Sequence, residues 1–550
     1  MKKALTLVLA LSLLLGGASA LAEESWLAPY EETVHVTFGR YGSVTDPAFP
    51  EGEAIDNSKY TQWLKEQFNI SFSVGWMIPS DEINEKISLN MATDSLPDIF
   101  IIRDKIQLQQ LIQGGMVADL TEVVDTYASD LMRGIYESYG GMDAFFSQNV
   151  RGEDGRIYAI TATAPGYEFI LTWVRQDWLD ALGLEKPATW AELEQVAHAF
   201  IQNRLGGEHT VGIEIGNSLD DTYCTAGSPG PWYHNFGAYP GNWLEEEGTG
   251  KYVYGSVQPQ MKDALAYMRG LFAEGLIDYE FATKDWVGSI AAGNTGITFG
   301  AWWIGAWPLA NSKANDPKAQ WVPLWIKGDN GQYNPYQPDI DTESYFWAVS
   351  SKCAHPEVLM KMVNIAAEQQ NLFGIAEYDE FPKHIPVEID TFYSDIGYKF
   401  DYHAWPIDIK MRDYNQLLKL EPVWMALVDK VKNGEEIPEF ATESFDGKKI
   451  VAYMNGEDQS SVGLHVYAKT LALQLLAEKQ DSLVEKPIYV PKVTPTMEFS
   501  WSNLKDLEAQ TFMKIIMGEL PLDAFDTFVT DWQAQGGSMI TGEVNAAAGK

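Results

Sequence analysis

The sequence predicts an α/β protein of two lobes, and three observations carry that expectation. Strand, helix, strand order recurs along the N-terminal part. The 550 residues exceed what one hydrophobic core supports. No internal repeat, low-complexity tract or long linker separates the parts. Strand, helix, strand order calls for a parallel sheet flanked by helices, and lobes joined without a flexible linker imply several close crossings, which suits a cleft and a hinge.

The chain opens with Lys2 and Lys3, an apolar run from Ala4 to Leu15 and the small residues Ala18-Ser19-Ala20. This is the pattern of a secretory signal peptide, 1–20. The run is shorter than the roughly 20 residues that span a bilayer, so it reads as a removable signal. The expected mature N-terminus is Leu21 or Glu23, the latter through Ala20-Leu21-Ala22.

Val34 to Phe38 alternates as a strand, and Gly39-Arg40-Tyr41-Gly42 has turn chemistry and reads as a loop. Tyr60, Trp63, Leu64 and Phe68 share a helical face; Ile70, Phe72 and Val74 alternate as the next strand. Asp81 stands where it can cap a helix carrying Ile83, Ile87 and Met91. After Pro97, Asp98 to Ile102 is the short apolar run of a strand buried on both faces. Gly114-Gly115 stops a helix, Asp154-Gly155-Arg156-Ile157-Tyr158 turns into a strand near Ala159 to Thr163, and Phe169 to Val174 is another strand.

Thr189-Trp190-Ala191-Glu192 is a capping box, followed by Leu193, Ala197 and Phe200 on the face of Trp190. A further helix carries Met261, Ala264, Leu265, Met268, Leu271 and Phe272 and stops at Gly275. Near the C-terminus Phe525, Phe528, Val529 and Trp532 keep helical spacing until Gly536-Gly537.

A formal net charge of −38 repels polyanions. Nucleic acid and anionic membranes are bound chiefly through Lys and Arg, so neither is an expected partner, and a neutral or cationic ligand fits better. Cys224 and Cys353 have the spacing of neither a redox pair nor a zinc site, and the sequence leaves open whether they join. The eight histidines form no HExxH motif, and there is no GxSxG elbow, P-loop or GxGxxG. A glycosidase needs only two carboxylates at a set separation in space, so a secreted glycoside hydrolase stays as the alternative reading. Asp339, Asp341 and Glu343 alternate at strand period, without the spacing of an EF-hand loop, and read as a solvated strand edge.

The 19 tryptophans are bunched: Trp302, Trp303 and Trp307, then Trp321 and Trp325, with Trp232, Tyr233 and Trp243 in a Gly/Pro-rich stretch. Pyranose rings pack their C–H faces on flat aromatic side chains, so aromatics beside Gly and Pro suggest a loop-borne sugar platform. Trp302 and Trp303 follow the strand-like Thr295 to Gly300, and successive strand residues face opposite ways. One of the pair is therefore expected to meet sugar and the other to sit in the core.

Several stretches match a known pattern in order: Met91-Ala92-Thr93-Asp94-Ser95-Leu96-Pro97-Asp98-Ile99; Asp154-Gly155-Arg156-Ile157-Tyr158; Arg175-Gln176-Asp177-Trp178-Leu179-Asp180-Ala181-Leu182-Gly183-Leu184 leading to Pro187-Ala188-Thr189-Trp190; Phe272-Ala273-Glu274-Gly275-Leu276-Ile277-Asp278; Gly293-Asn294-Thr295-Gly296-Ile297-Thr298-Phe299-Gly300; and Gly536-Gly537 before Glu543-Val544-Asn545. Over nearly all of the mature chain they resemble the extracellular solute-binding proteins of ABC importers, in the maltose-binding-like branch with long oligosaccharide-binding members.

The resemblance implies a two-lobed periplasmic-binding-protein-like fold with ligand in the cleft and crossings near Ala159 to Thr163 and Ser344 to Ala348. Lobe 1 would hold 31–162 plus about 344–400, and lobe 2 would hold 163–343 plus about 401–550. Ligand contacts carried over by likeness are Arg40 and Tyr41, Arg103 and Asp104, Tyr167 and Glu168, Trp232 and Tyr233, and Trp302 and Trp303.

Two departures stand out. Gly16 to Glu24 holds no cysteine for lipid attachment, which leaves a periplasmic or extracellular protein without a lipid anchor. Gln202 to Thr210 holds a single acid, so no structural metal is expected there. The resulting expectation is a non-enzymatic, exported, monomeric receptor without cofactor that delivers an oligosaccharide to the membrane subunits of an ABC importer. The same fold binding a peptide or lipid precursor is a further alternative.

Overall fold

The structure is a computed structural model that describes residues 26–42, 49–146, 149–163, 170–219, 226–329, 331, 333, 345–371, 381–386, 405–438, 441–442, 445–482 and 487–550. In chain order its strands are β1 (Val34–Tyr41), β2 (Ile70–Ile78), β3 (Ile99–Ile102), β4 (Ala159–Thr161), β5 (Leu171–Arg175) and β6 (Val211–Glu214). They continue with β7 (Trp243–Glu245), β8 (Tyr252–Tyr254), β9 (Thr295–Gly300), β10 (Trp321–Leu324) and β11 (Phe346–Val349). The chain divides into two compact units, Met1–Gly166 with Ile340–Gln416 and Tyr167–Asp339 with Leu417–Lys550.

The last boundary falls after Gln416 and not near residue 400, because the segment before it packs into the first unit. Trp405 stacks on Tyr60 with ring centroids 3.9 Å apart. Asp408 pairs with Arg40, and the Met411 amide donates to Gln370 Oε1.

The first unit's sheet runs β2-β1-β3-β11-β4. β1 is parallel to β2 and to β3, whereas β11 is antiparallel to both of its neighbours. The sheet is thus mixed and not the parallel one expected. Strand, helix, strand order fixes the direction only of strands close in sequence, and β11 enters from a distant segment. β3 is fully buried along its length, as its unbroken apolar run requires. The Lys59–Phe68 helix starts on a reciprocal Ser58/Thr61 cap and buries Tyr60, Trp63, Leu64 and Phe68.

Two local expectations fail in this unit. Gly39, Arg40 and Tyr41 continue β1 instead of forming a loop. Gly39 serves close approach here, since a Cβ on it would lie 2.2 Å from Trp76 Cε2. Asp81 sits within the 3-10 turn Ser80–Glu82 and makes no capping bond to the Ile83–Thr93 helix.

The second unit's main sheet runs β10-β5-β9-β6, with β5 antiparallel to β9 and β10, and β6 parallel to β9. All six residues of β9 are buried. The Thr189/Glu192 capping box forms, and the Trp190–Gln202 helix buries Trp190, Leu193, Ala197 and Phe200. The Pro259–Ala273 helix ends before Gly275, at φ 74. The Ala524–Trp532 helix does not end at Gly536-Gly537. The chain kinks at Gly536, φ 128, and continues as the Ser538–Ala547 helix.

No helix among the described residues is long and apolar enough to cross a membrane. Cys353 is a free, half-buried thiol, raised by burial to about 11. Cys224, the acidic run 339–343 and residues 1–25 lie outside the described residues.

Candidate functional site

In open α/β sheets ligands bind beyond the carboxyl ends of the parallel strands. In the first unit the pairing puts the carboxyl ends of β1, β2, β3 and β4 on one edge together with the amino end of β11. Arg40, Tyr41, Arg103, Asp104, Thr163 and Tyr345 stand on this edge.

Their side chains differ in what remains open. Arg40 is 2% exposed. Its guanidinium donates to Asp408 Oδ2 at 3.1 Å, to the Trp405 carbonyl at 2.6 Å and to the Tyr41 carbonyl at 3.0 Å. Tyr41 is half-buried, donates to the same Asp408 oxygen at 3.0 Å and meets Tyr345 edge-on at 6.1 Å. Asp104 caps the Lys105–Gln113 helix, accepting from the amides of Ile106 at 2.7 Å and Gln107 at 3.1 Å. Arg103 is exposed, held only by a 3.4 Å bond to the Ser80 carbonyl among its described contacts. Of the four residues named from sequence here, Arg103 faces solvent and Tyr41 is half-buried, whereas Arg40 and Asp104 organise the edge.

The corresponding edge of the second unit gathers the carboxyl ends of β6, β9 and β10 and the amino end of β5. Beyond β9 the chain turns into the 3-10 helix Trp302–Gly305, so strand alternation does not apply to Trp302 and Trp303. Trp302 is 5% exposed and Trp303 half-buried, both packed on the cluster around Trp173, Leu309, Leu427 and Leu473. The solvent-facing indole is Trp307, 41% exposed, which meets the half-buried Trp286 edge-on at 6.2 Å.

Trp232 and Tyr233 lie in the short Gly230–Asn235 helix and are buried. Trp232 packs edge-on against Phe299 at 4.8 Å, and the Tyr233 hydroxyl donates to the Leu219 carbonyl at 2.8 Å. Their expected loop-borne exposure is therefore corrected to core packing, since the Gly/Pro stretch folds back over β9. Tyr167 and Glu168 lie outside the described residues.

Sequence reading named the Trp302 bunch but not Trp307 as its open member. Pro308 directly after Trp307 was the available signal, because a residue before proline is held out of a continuing helix. Asp285-Trp286, a cap residue beside an aromatic, similarly marked Trp286; nothing local marked Asp408. Among the described residues no group of three or more His, Cys, Asp or Glu side chains is placed to hold a metal ion.

Beneath the aromatic edge, Glu214 at the end of β6 is fully buried. Burial raises its carboxyl to about 7; the neighbouring hydroxyls of Ser289 and Thr295 and the charge of Lys284 oppose the rise, and Asp278 adds to it.

The chain matches the family model for bacterial extracellular solute-binding proteins over residues 47–371. It is 26% identical over 256 residues to the lipoprotein LipO of Bacillus subtilis, covering 44% of this chain and 46% of that protein. It is 24% identical over 320 residues to the fructooligosaccharide ABC transporter substrate-binding protein FusA of Streptococcus pneumoniae, covering 55% of each. The chain thus spans about half the length of the curated relatives it matches. The crystal structure of the alginate-binding protein AlgQ2 without calcium ion superposes with a TM-score of 0.64 at 15% identity, covering 95% of this chain and 99% of that one. At that identity the likeness is one of fold, and it is the periplasmic-binding-protein-like α/β fold. The family match takes in more than half of the chain, and the protein belongs to the bacterial extracellular solute-binding proteins.

Proposed function

We propose that this protein is an exported receptor that binds a neutral oligosaccharide and delivers it to the membrane subunits of an ABC importer, acting as a monomer and without turning the sugar over. The observation that carries this reading is the open indole of Trp307, set against Trp286 at the carboxyl end of β9. A partly exposed indole held edge-on by a second ring can offer its surface to pyranose C–H groups. Taken by itself, the first unit's strand-end edge presents the exposed guanidinium of Arg103, a donor suited to sugar hydroxyls.

The relatives' names divide on ligand charge: FusA is described by fructooligosaccharide, a neutral sugar, and AlgQ2 by alginate, a polyanion. A net charge of −38 favours the neutral class for this chain, because an anionic sugar would be drawn through an unfavourable field.

Calorimetric titration against paired neutral and uronic-acid oligosaccharides tests this. Binding of a neutral oligosaccharide without release of reducing ends supports the proposal. Tight binding confined to uronic-acid sugars refutes the ligand class, and sustained release of reducing ends refutes the receptor role.

A further inference from the structure

Below the aromatic edge of the second unit lies a buried charge cluster that sugar stacking alone does not require. Glu214, fully buried, ends β6. The ammonium of Lys284 stands 3.6 Å from its Oε2 and is paired more closely with Asp278. Thr295 on β9 donates to Glu214 Oε2 at 3.3 Å, and the Thr295 and Ser289 hydroxyls are 3.2 Å apart. The other oxygen, Oε1, has no hydrogen-bond partner. Among the described residues the charged groups that face Glu214 are Lys284 and Asp278; β9 and the helix above present only hydroxyls.

The helix Trp286–Ala291 joins this cluster to the aromatic edge. Its fourth residue, Ser289, is buried and bonded into the cluster. Its first, Trp286, lies against the backbone two residues beyond Glu214: a Cβ on Gly216 would be 3.4 Å from Trp286 Nε1. Gly227, in a turn whose carbonyl accepts from the Gly216 amide, packs on the same ring, with a Cβ position 3.4 Å from Cζ3. One short helix is thus tied to the carboxyl through the Thr295 hydroxyl and carries the partner ring of Trp307 at its first residue.

We propose that Glu214 and Lys284 are positioning residues for the aromatic edge: through Ser289 they hold the helix that carries Trp286, so the setting of Trp286 against Trp307 follows the charge on Glu214. This rests on the oligosaccharide-receptor reading for its consequence, since a moved platform alters sugar affinity. An ionised Glu214 draws both hydroxyls and the ammonium towards it. A neutral one carries its own proton, releases one hydroxyl and leaves Lys284 to Asp278. The change falls near neutral pH, because burial has moved the carboxyl there.

The test uses the full chain labelled with fluorotryptophan, with resonances assigned by Trp286→Phe and Trp307→Phe. In sugar-free protein the Trp286 and Trp307 resonances should shift with a midpoint near pH 7, and Glu214→Gln should abolish the shift. Ser289→Ala should uncouple Trp307 from the titration and leaves a folded readout if Glu214→Gln melts early. Affinity for the bound neutral oligosaccharide should change about threefold or more between about pH 6 and 8 in the unsubstituted chain and stay flat in both variants. Resonances that do not move with pH, or that move equally in Ser289→Ala, overturn the proposal whatever the sugar result. Titrating resonances in a protein that binds no oligosaccharide leave the positioning intact and overturn the receptor reading instead.

Discussion

Replacing Asp408 by asparagine removes a charge partner of a guanidinium that has almost no access to water. Arg40 is 2% exposed and the Asp408 side chain 0%. One carboxylate oxygen accepts from both Arg40 at 3.1 Å and Tyr41 at 3.0 Å. Breaking a buried ion pair from one side costs about 3 to 5 kcal/mol, because the remaining charge is stranded. Replacing both partners with apolar residues of similar volume is often close to neutral. Asp408→Asn should therefore destabilise the first unit by about 3 kcal/mol or more, and an Arg40→Met, Asp408→Leu double variant should recover most of that loss. Hydrogen exchange read on peptides spanning β1 and β3 is local to that unit. At about 1.4 kcal/mol per decade, opening should rise about a hundredfold in the single variant. If Arg40 instead acted mainly by touching ligand, Asp408→Asn would leave exchange in the sugar-free protein unchanged and weaken binding only. An exchange change below about fivefold, or a double variant worse than the single one, refutes the reasoning.

Trp307→Ala should keep near-native melting yet weaken oligosaccharide binding by about tenfold, the sum of aromatic contact and uncovered sugar face. Trp302→Ala, at a site 5% exposed, should instead cost about 3 to 5 kcal/mol in a denaturant melt. For Glu214 the folded state binds its proton more tightly than the unfolded chain, with the carboxyl raised from 4.5 to about 7. Its contribution to stability is therefore whole below about pH 4.5 and lost as pH rises through about 7, at most about 3 kcal/mol; Glu214→Gln should flatten that part of a stability against pH curve. Gly296→Ala would place a Cβ 2.4 Å from Phe200 Cδ2 and 2.9 Å from Trp178 Cζ3. The resulting overpacking should lower stability by about 1 to 3 kcal/mol in calorimetry.

What was legible in the sequence was written in short-range chemistry. The Thr189/Glu192 box, the β3 apolar run and the Pro259–Ala273 helix each depend on residues within a turn or two, and each forms. What was not legible depended on distant partners. Arg40 looked available because its carboxylate lies 368 positions away. The sheet looked parallel because β11 arrives from far down the chain. Trp232 looked loop-borne because its Gly/Pro neighbours hid the packing on Phe299. Alternation would set Trp302 and Trp303 on opposite faces, but it stops with β9 at Gly300 and a 3-10 helix begins at Trp302.

The place of β11 in the first sheet also orders events in time. It lies between β3 and β4, so β4 has no partner in that sheet until residues 346–349 have been made, with residues 167–339 of the other unit in between. A chain emerging N-terminus first holds β1, β2 and β3 with an open, wholly apolar edge strand through all of that synthesis. Closing so long a loop is slow, so the first unit's sheet is completed only after its late segments arrive. The same delay leaves the edge of β3 open to pairing with other chains.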